Sequence, residues 1–182
     1  MKNKCILLLL LVNICGFSQK REFALESSAS FKLKSLTFNK VTGTMGNPTG
    51  FATYEDGILV GIEGCLDTKS INTGNKSRDE SLREDKKFFN TAKTPLVCFK
   101  ASSVIFVGKS SGLTTYKLAG NLTLRGLSKP LQLELVEQNN GLLTGTFTID
   151  RELWGLGEGY PNFTISQNIE VPISLSLVQW TS

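Results

Sequence analysis

Histidine is absent from all 182 residues. Its absence removes the usual imidazole general base, the Ser-His and Cys-His nucleophile pairs, and most protein zinc and haem sites. The run Gly108-Lys109-Ser110-Ser111-Gly112 matches G-x-S-x-G. No histidine exists to activate Ser110, however, and the composition is that of a turn, so the run reads as a loop between strands. Cysteine is scarce: four in the chain, with Cys5 and Cys15 in the opening segment. Beyond that segment nothing is apolar enough to span a bilayer, and no basic cluster supports a nucleic-acid partner.

The opening residues, Met1 to Ser18, have the three-part form of a secretory signal: Lys2 and Lys4, then CILLLLLV, then GFS. The apolar run is roughly half of the ~20 residues that a spanning helix needs. Gly16 and Ser18 are small residues of the kind signal peptidase accepts, which predicts cleavage near Ser18 and a mature chain from Gln19. Acylation of Cys15 is the alternative, but Ile14 is bulky for the position before the cleaved bond. The expected destination is a bacterial periplasm or the extracellular space. Loss of Lys2 and Lys4 takes the formal charge from +4 to +2. Residues 19–182 suit one domain able to bury about 70% of its unfolded surface.

Cys65 and Cys98 then remain, an even number in a compartment where disulfides persist. They can pair, or stand as buried thiols acting as small apolar residues. The second reading is favoured, because a sheet-rich domain of this size does not need a staple.

The dominant period is two. Phe31 and Leu33 alternate with lysines; Tyr116, Leu118, Leu122 and Leu124 share one face; so do Leu131, Leu133 and Leu135. Leu143, Gly145, Phe147 and Ile149 share another, as do Ile169, Val171, Ile173, Leu175 and Leu177. Turn signals such as MGNPTG, EDG, KSSG, RGLSKP and EQNNG separate these runs, predicting consecutive antiparallel strands. About eight amphipathic strands bury their apolar side by curling into a barrel, or else by stacking as a sandwich. An eight-stranded barrel either fills with side chains or holds one small ligand.

One stretch breaks the period: SINTGNKSRDESLREDKKFF, Ser70 to Phe89. Ser77 to Glu80 fits a capping box, predicting a short helical excursion over residues 77–89. Its charges are mixed in sign, as on a solvated helix face.

That stretch, followed by TPLVCF, YKLAGNLTLRGLSKPLQLEL and GTFTIDRELWGLG in this order, resembles the YceI-like family of periplasmic polyisoprenoid-binding proteins. The resemblance spans nearly all of residues 19–182. It implies an all-β, extended, eight-stranded antiparallel lipocalin-like barrel whose interior holds an isoprenoid-quinone-like or polyprenyl lipid, with no catalysis and no cofactor. Met45 and Trp154 stand where relatives usually carry Phe, so ligand length and headgroup stay open. Trp154 brings an N–H that needs a partner.

Strand parity and the resemblance together nominate Phe31, Leu33, Phe99, Tyr116, Leu118, Leu122, Leu124, Phe147, Ile149, Trp154, Ile173 and Leu175 as cavity lining. Arg78, Asp79 and Arg151 are polar candidates, for a headgroup or for structure. Arg78 and Asp79 suit charge-assisted bonds that fix the helical excursion, and an inward Arg151 requires a partner carboxylate. The expected partner is an isoprenoid lipid, with transient membrane contact, no nucleic acid, no metal, and the oligomeric state left open. An alternative is a periplasmic interaction protein with a filled barrel, beside a membrane electron-transfer or stress-response system. A small-barrel enzyme leaning on Tyr116 or Glu158 is a third.

Overall fold

The computed structural model describes residues 18–35 and 39–178. The expected leader lies outside them except for Ser18. Ten strands form one sheet: β1 (Ser18–Glu22), β2 (Ser28–Ser35), β3 (Asn39–Met45), β4 (Thr49–Glu55), β5 (Ile58–Asp67), β6 (Leu96–Ser110), β7 (Leu113–Leu124), β8 (Leu127–Glu137), β9 (Leu143–Asp150) and β10 (Asn168–Leu175). One helix, α1 (Lys76–Glu84), stands between β5 and β6. The order across the sheet is β1-β4-β5-β6-β7-β8-β9-β10-β2-β3, with every neighbouring pair antiparallel.

Eight strands are expected and ten are found, because two long strands are interrupted. β1 and β2 are separated by a turn closed by Ser27 N–H donating to Ala24 O. β3 and β4 are separated at Gly46-Asn47-Pro48, where Asn47 takes φ 52° and Pro48 has no N–H for the ladder. Register nearly carries across both breaks, with Glu22 opposite Phe51 and Ala29 opposite Met45. The sheet curls until β1 meets the chain beyond β10, through a Phe23–Leu177 bridge and a bond from Val178 N–H to Glu22 O.

The hairpins turn where turn residues predict. β7 passes to β8 through Arg125-Gly126, both at positive φ (52° and 74°), the two-residue geometry that matches strand twist. Such a φ is unusual for arginine. Here the Arg125 guanidinium donates to the carbonyls of Trp154, Gly155 and Lys86, tying the turn to two segments outside the sheet.

Two seams interrupt the hydrogen bonding. β5 pairs with β6 only from Glu63–Asp67 to Leu96–Lys100, and β8 pairs with β9 only at Leu135–Glu137. Within the first short ladder Cys65 and Cys98 stand directly opposite, Cα atoms 4.0 Å apart, and form a disulfide. The favoured free-thiol reading is therefore corrected. Opposition across two strands 33 residues apart in sequence is a matter of register, which composition does not reveal.

The helical excursion is shorter than expected and starts earlier. Its N-cap is Asn75, whose side chain accepts from Arg78 N–H, not Ser77. Ser77 lies inside the helix, where its carbonyl accepts from the Ser81 hydroxyl.

Candidate functional site

Side chains on the inner face of the curled sheet fall into two buried groups. One comprises Met45, Leu122, Leu124, Ile149 and Ile169 with Ile71, Phe89, Trp154 and Leu156 from outside the sheet. The other gathers Ala52, Tyr54, Leu59, Ile62, Tyr116, Leu118, Leu135, Leu143 and Leu177. A cavity of about 200 Å³ reaches members of both groups. Almost every lining side chain is apolar; Ser30 and Arg151 are the exceptions.

Of the twelve nominated residues, ten surround this cavity: Phe31, Leu33, Phe99, Leu118, Leu122, Leu124, Phe147, Ile149, Ile173 and Leu175. Tyr116 and Trp154 do not. Parity turns Tyr116 inward on β7, whereas Trp154 lies in the 3-10 turn beyond β9, where strand parity no longer runs; each is drawn into the wall by its polar atom. Trp154 Nε1 donates to Leu122 O at 3.3 Å, with the ring 2% exposed. The Tyr116 hydroxyl donates to Glu137 Oε2 and accepts from Leu59 N–H, a β5 donor at the seam. Met45 also lines the cavity.

A glycine lies against each of three rings and makes room for it. A Cβ on Gly43 would stand 2.3 Å from the Phe31 ring, one on Gly64 2.3 Å from Phe23, and one on Gly120 2.8 Å from Phe99 and 2.3 Å from Lys100 O. The rings fill space that the glycines leave on the pleat.

Sequence reasoning missed Phe23, Ile62, Leu66, Val97, Leu156, Ile165 and, on α1, Leu82, all of which line the cavity. Val97 shares parity with Phe99, a signal that was available. Leu156 and Ile165 come from the irregular segment after β9, which has no period to read.

The polar candidates hold local structure. Asp79 is buried and its Oδ1 accepts from Thr73 N–H at 2.8 Å and the Thr73 hydroxyl at 2.6 Å. Arg78 Nε donates to Thr73 Oγ1 at 3.0 Å. These bonds stay within the excursion, as charge-assisted anchors do, and neither residue lines the cavity.

Arg151 does line it, 2% exposed, at the start of a 3-10 turn (Arg151–Trp154). Its partners are carbonyls where a carboxylate is expected. Nη1 donates to Leu156 O and Gly157 O at 2.9 and 3.0 Å, Nη2 to Tyr160 O and Asn162 Oδ1 at 2.7 and 2.9 Å, and Nε to Ile165 O at 3.3 Å. The nearest carboxylate, Glu152, is 3.9 Å away and half-exposed. Four backbone carbonyls and the Asn162 side-chain carbonyl satisfy the planar fork, so no donor is left to face a headgroup.

A second polar group sits among the apolar residues beside the cavity. The Tyr54 hydroxyl donates to Glu137 Oε1 at 2.8 Å, so the two tyrosines share one carboxylate. Burial is the main cause raising both phenol pKa values above the ordinary 10.0, and the Glu137 charge raises them further.

Residues 24–177 match the family described as YceI-like domain. A UPF0312 protein of Yersinia pestis (strain Pestoides F) is 33% identical over 106 residues, covering 57% of this chain and 52% of that protein. Protein YceI of Salmonella newport (strain SL254) is 31% identical over 107 residues, covering 58% and 53%. The chain thus spans about half the length of the curated relatives it matches. Among solved structures, Burkholderia cenocepacia BcnA superposes with a TM-score of 0.71 at 18% identity, over 82% of this chain and 95% of that one. A polyisoprenoid binding domain from Saccharophagus degradans, implicated in plant cell wall breakdown, superposes at 0.68 with 17% identity, over 86% and 95%. The match takes in every strand from β2 to β10 and the cavity between them, and on it the chain belongs to the YceI-like family.

Proposed function

We propose that this chain is a non-catalytic carrier that takes the tail of a polyisoprenoid lipid into its apolar cavity, the curled sheet serving as a lipocalin-like barrel. One observation carries the reading: the cavity wall is apolar apart from Ser30 and an arginine whose donors are all engaged by carbonyls. Such a wall favours an uncharged, flexible hydrocarbon over any polar solute. The polyisoprenoid binding domain among its structural neighbours supports the same class.

Burial supplies the driving force. Each CH₂ withdrawn from water contributes ~0.8 kcal/mol, so about five to twenty offset the roughly 4–15 kcal/mol lost in association. From a bilayer the gain is far smaller, since lipid is already apolar, which suits reversible exchange. Cleavage near Ser18 would place this carrier in the periplasm or outside the cell.

The test is extraction. Protein recovered after export is extracted with organic solvent and the extract analysed by mass spectrometry, alongside titration with an added prenyl quinone. A co-purifying prenyl lipid is the expected result. Repeatedly empty extracts together with no uptake of the quinone would sink the proposal.

A further inference from the structure

The hairpin formed by the far end of β6 and the start of β7 is anomalous for a surface element. Beyond Lys100, β6 has no partner on the β5 side, so its outer edge is unpaired from Ala101 onward. Here Ile105, Phe106 and Val107 are 60%, 46% and 51% exposed, and Leu113 is 44% exposed. Ile105 lies opposite Lys117 and Phe106 opposite Tyr116, so the two point to opposite faces of the ribbon. Val107 is the extra residue of a bulge between Phe106 and Gly108. Apolar side chains are therefore uncovered on both faces.

The charge around them is of one sign along the chain. From Lys86 to Leu133 there are eight lysines and arginines and no acid. Lys109 and Lys117 flank the apolar residues, both exposed, and neither joins an ion pair among the described residues. Two acids face the ribbon from β8: Glu134 lies across from Lys117 in register, and Glu137 lies across from Thr114 and is engaged by the two tyrosine hydroxyls; Glu55 and Asp56, at the end of β4 and in the turn after it, belong to a separate hairpin.

We propose that this hairpin is a membrane-contact element that docks the protein on an anionic lipid surface. A rigid protein partner covers one face of a ribbon; a fluid apolar phase covers both. The ribbon would lie at headgroup depth, because unpaired β6 N–H and C=O groups are not satisfied in hydrocarbon. Ile105, Phe106, Val107 and Leu113 would reach the acyl boundary, and the lysine ammonium groups the phosphates. The inference goes beyond the carrier reading and does not require the cavity to be occupied.

The measurement is co-sedimentation of exported protein with vesicles of phosphatidylglycerol and phosphatidylcholine in equal parts, against phosphatidylcholine alone, all variants sharing one N-terminus verified by intact mass. The wild type is expected to bind the anionic vesicles preferentially. Lys109→Glu should weaken this binding about fivefold or more, and Ile105→Ser combined with Val107→Ser about tenfold or more, with thermal unfolding unchanged. Wild-type protein that ignores anionic vesicles, or equal binding by all variants, overturns the proposal. So does vesicle-free self-association, seen by ultracentrifugation, that the double substitution abolishes, since the occupant would then be a second copy. Prenyl-lipid binding is scored separately by extraction and quinone titration: vesicle binding with empty extracts and no quinone uptake sinks the carrier alone, and the converse sinks the docking alone.

Discussion

Arg151 holds five acceptors that no other side chain replaces. Its guanidinium pins residues 156–165, which contribute Leu156 and Ile165 to the cavity wall. Arg151→Lys keeps the charge but has three donors on one nitrogen, so buried carbonyls lose partners at ~1–3 kcal/mol each. Urea unfolding is expected to show a loss of about 3 kcal/mol, a figure that a mere surface cation would not approach. For the cavity itself the informative residue is Leu133, half-buried on the lining. Leu133→Trp should fill the space and lower prenyl-lipid uptake about tenfold or more, at a cost below ~2 kcal/mol, because the ring enters a void where packed cores resist it. Retention of full uptake by a folded Leu133→Trp protein would count against the cavity as the binding site.

Between α1 and β6 the elements depend on a few specific contacts. Asn75→Ala removes the N-cap of α1 and should cost about 1 kcal/mol, whereas Ser77→Ala, inside the first turn, should cost close to nothing. Denaturant midpoints of the two variants discriminate the observed cap from a Ser77–Glu80 box. The β5–β6 ladder rests on five residue pairs and one disulfide. Replacing both cysteines with alanine is expected to lower stability by about 2–4 kcal/mol, read from urea unfolding against the wild type. Both expectations concern register and capping, which are properties of the assembled elements. Alternation placed the apolar faces of β7 to β10 correctly, because a period of two survives any sheet geometry. It did not show that Cys65 opposes Cys98, or that Asn75, whose capping depends on φ and ψ, precedes Ser77 as the cap.

The whole molecule should lose stability in alkali. Tyr54 and Tyr116 both have folded-state pKa values raised above 10.0, chiefly by burial. Their contribution is fully present below pH 10, and it falls as pH rises through the folded values, since the unfolded chain releases these protons first. Stability measured from pH 8 to 11 should be flat and then decline, more shallowly in Tyr54→Phe than in the wild type. At the acid end, the Lys32 ammonium lowers the pKa of Glu170 through a hydrogen bond, so this contribution is present above the ordinary carboxylate value and lost as pH falls below it. The pair is exposed and its effect small.

What the amino-acid order determined by itself was the list of inward faces and the family. Period-two alternation, turn residues and the run from Ser70 to Phe89 are local properties, legible wherever they occur. Ten of the twelve nominated residues stand around the cavity because strand parity is local too. Tertiary structure decided the rest. Tyr116 has that parity and Trp154 lies past the end of its strand, and they are taken by Glu137 and Leu122 O, acceptors 21 and 32 residues away. Arg151 finds carbonyls from a segment without period, and the two interrupted strands, the paired cysteines and the uncovered hairpin follow from which strands meet and where they part. Those are long-range contacts, and a hydrogen bond or a seam exists only once two distant segments have been brought together.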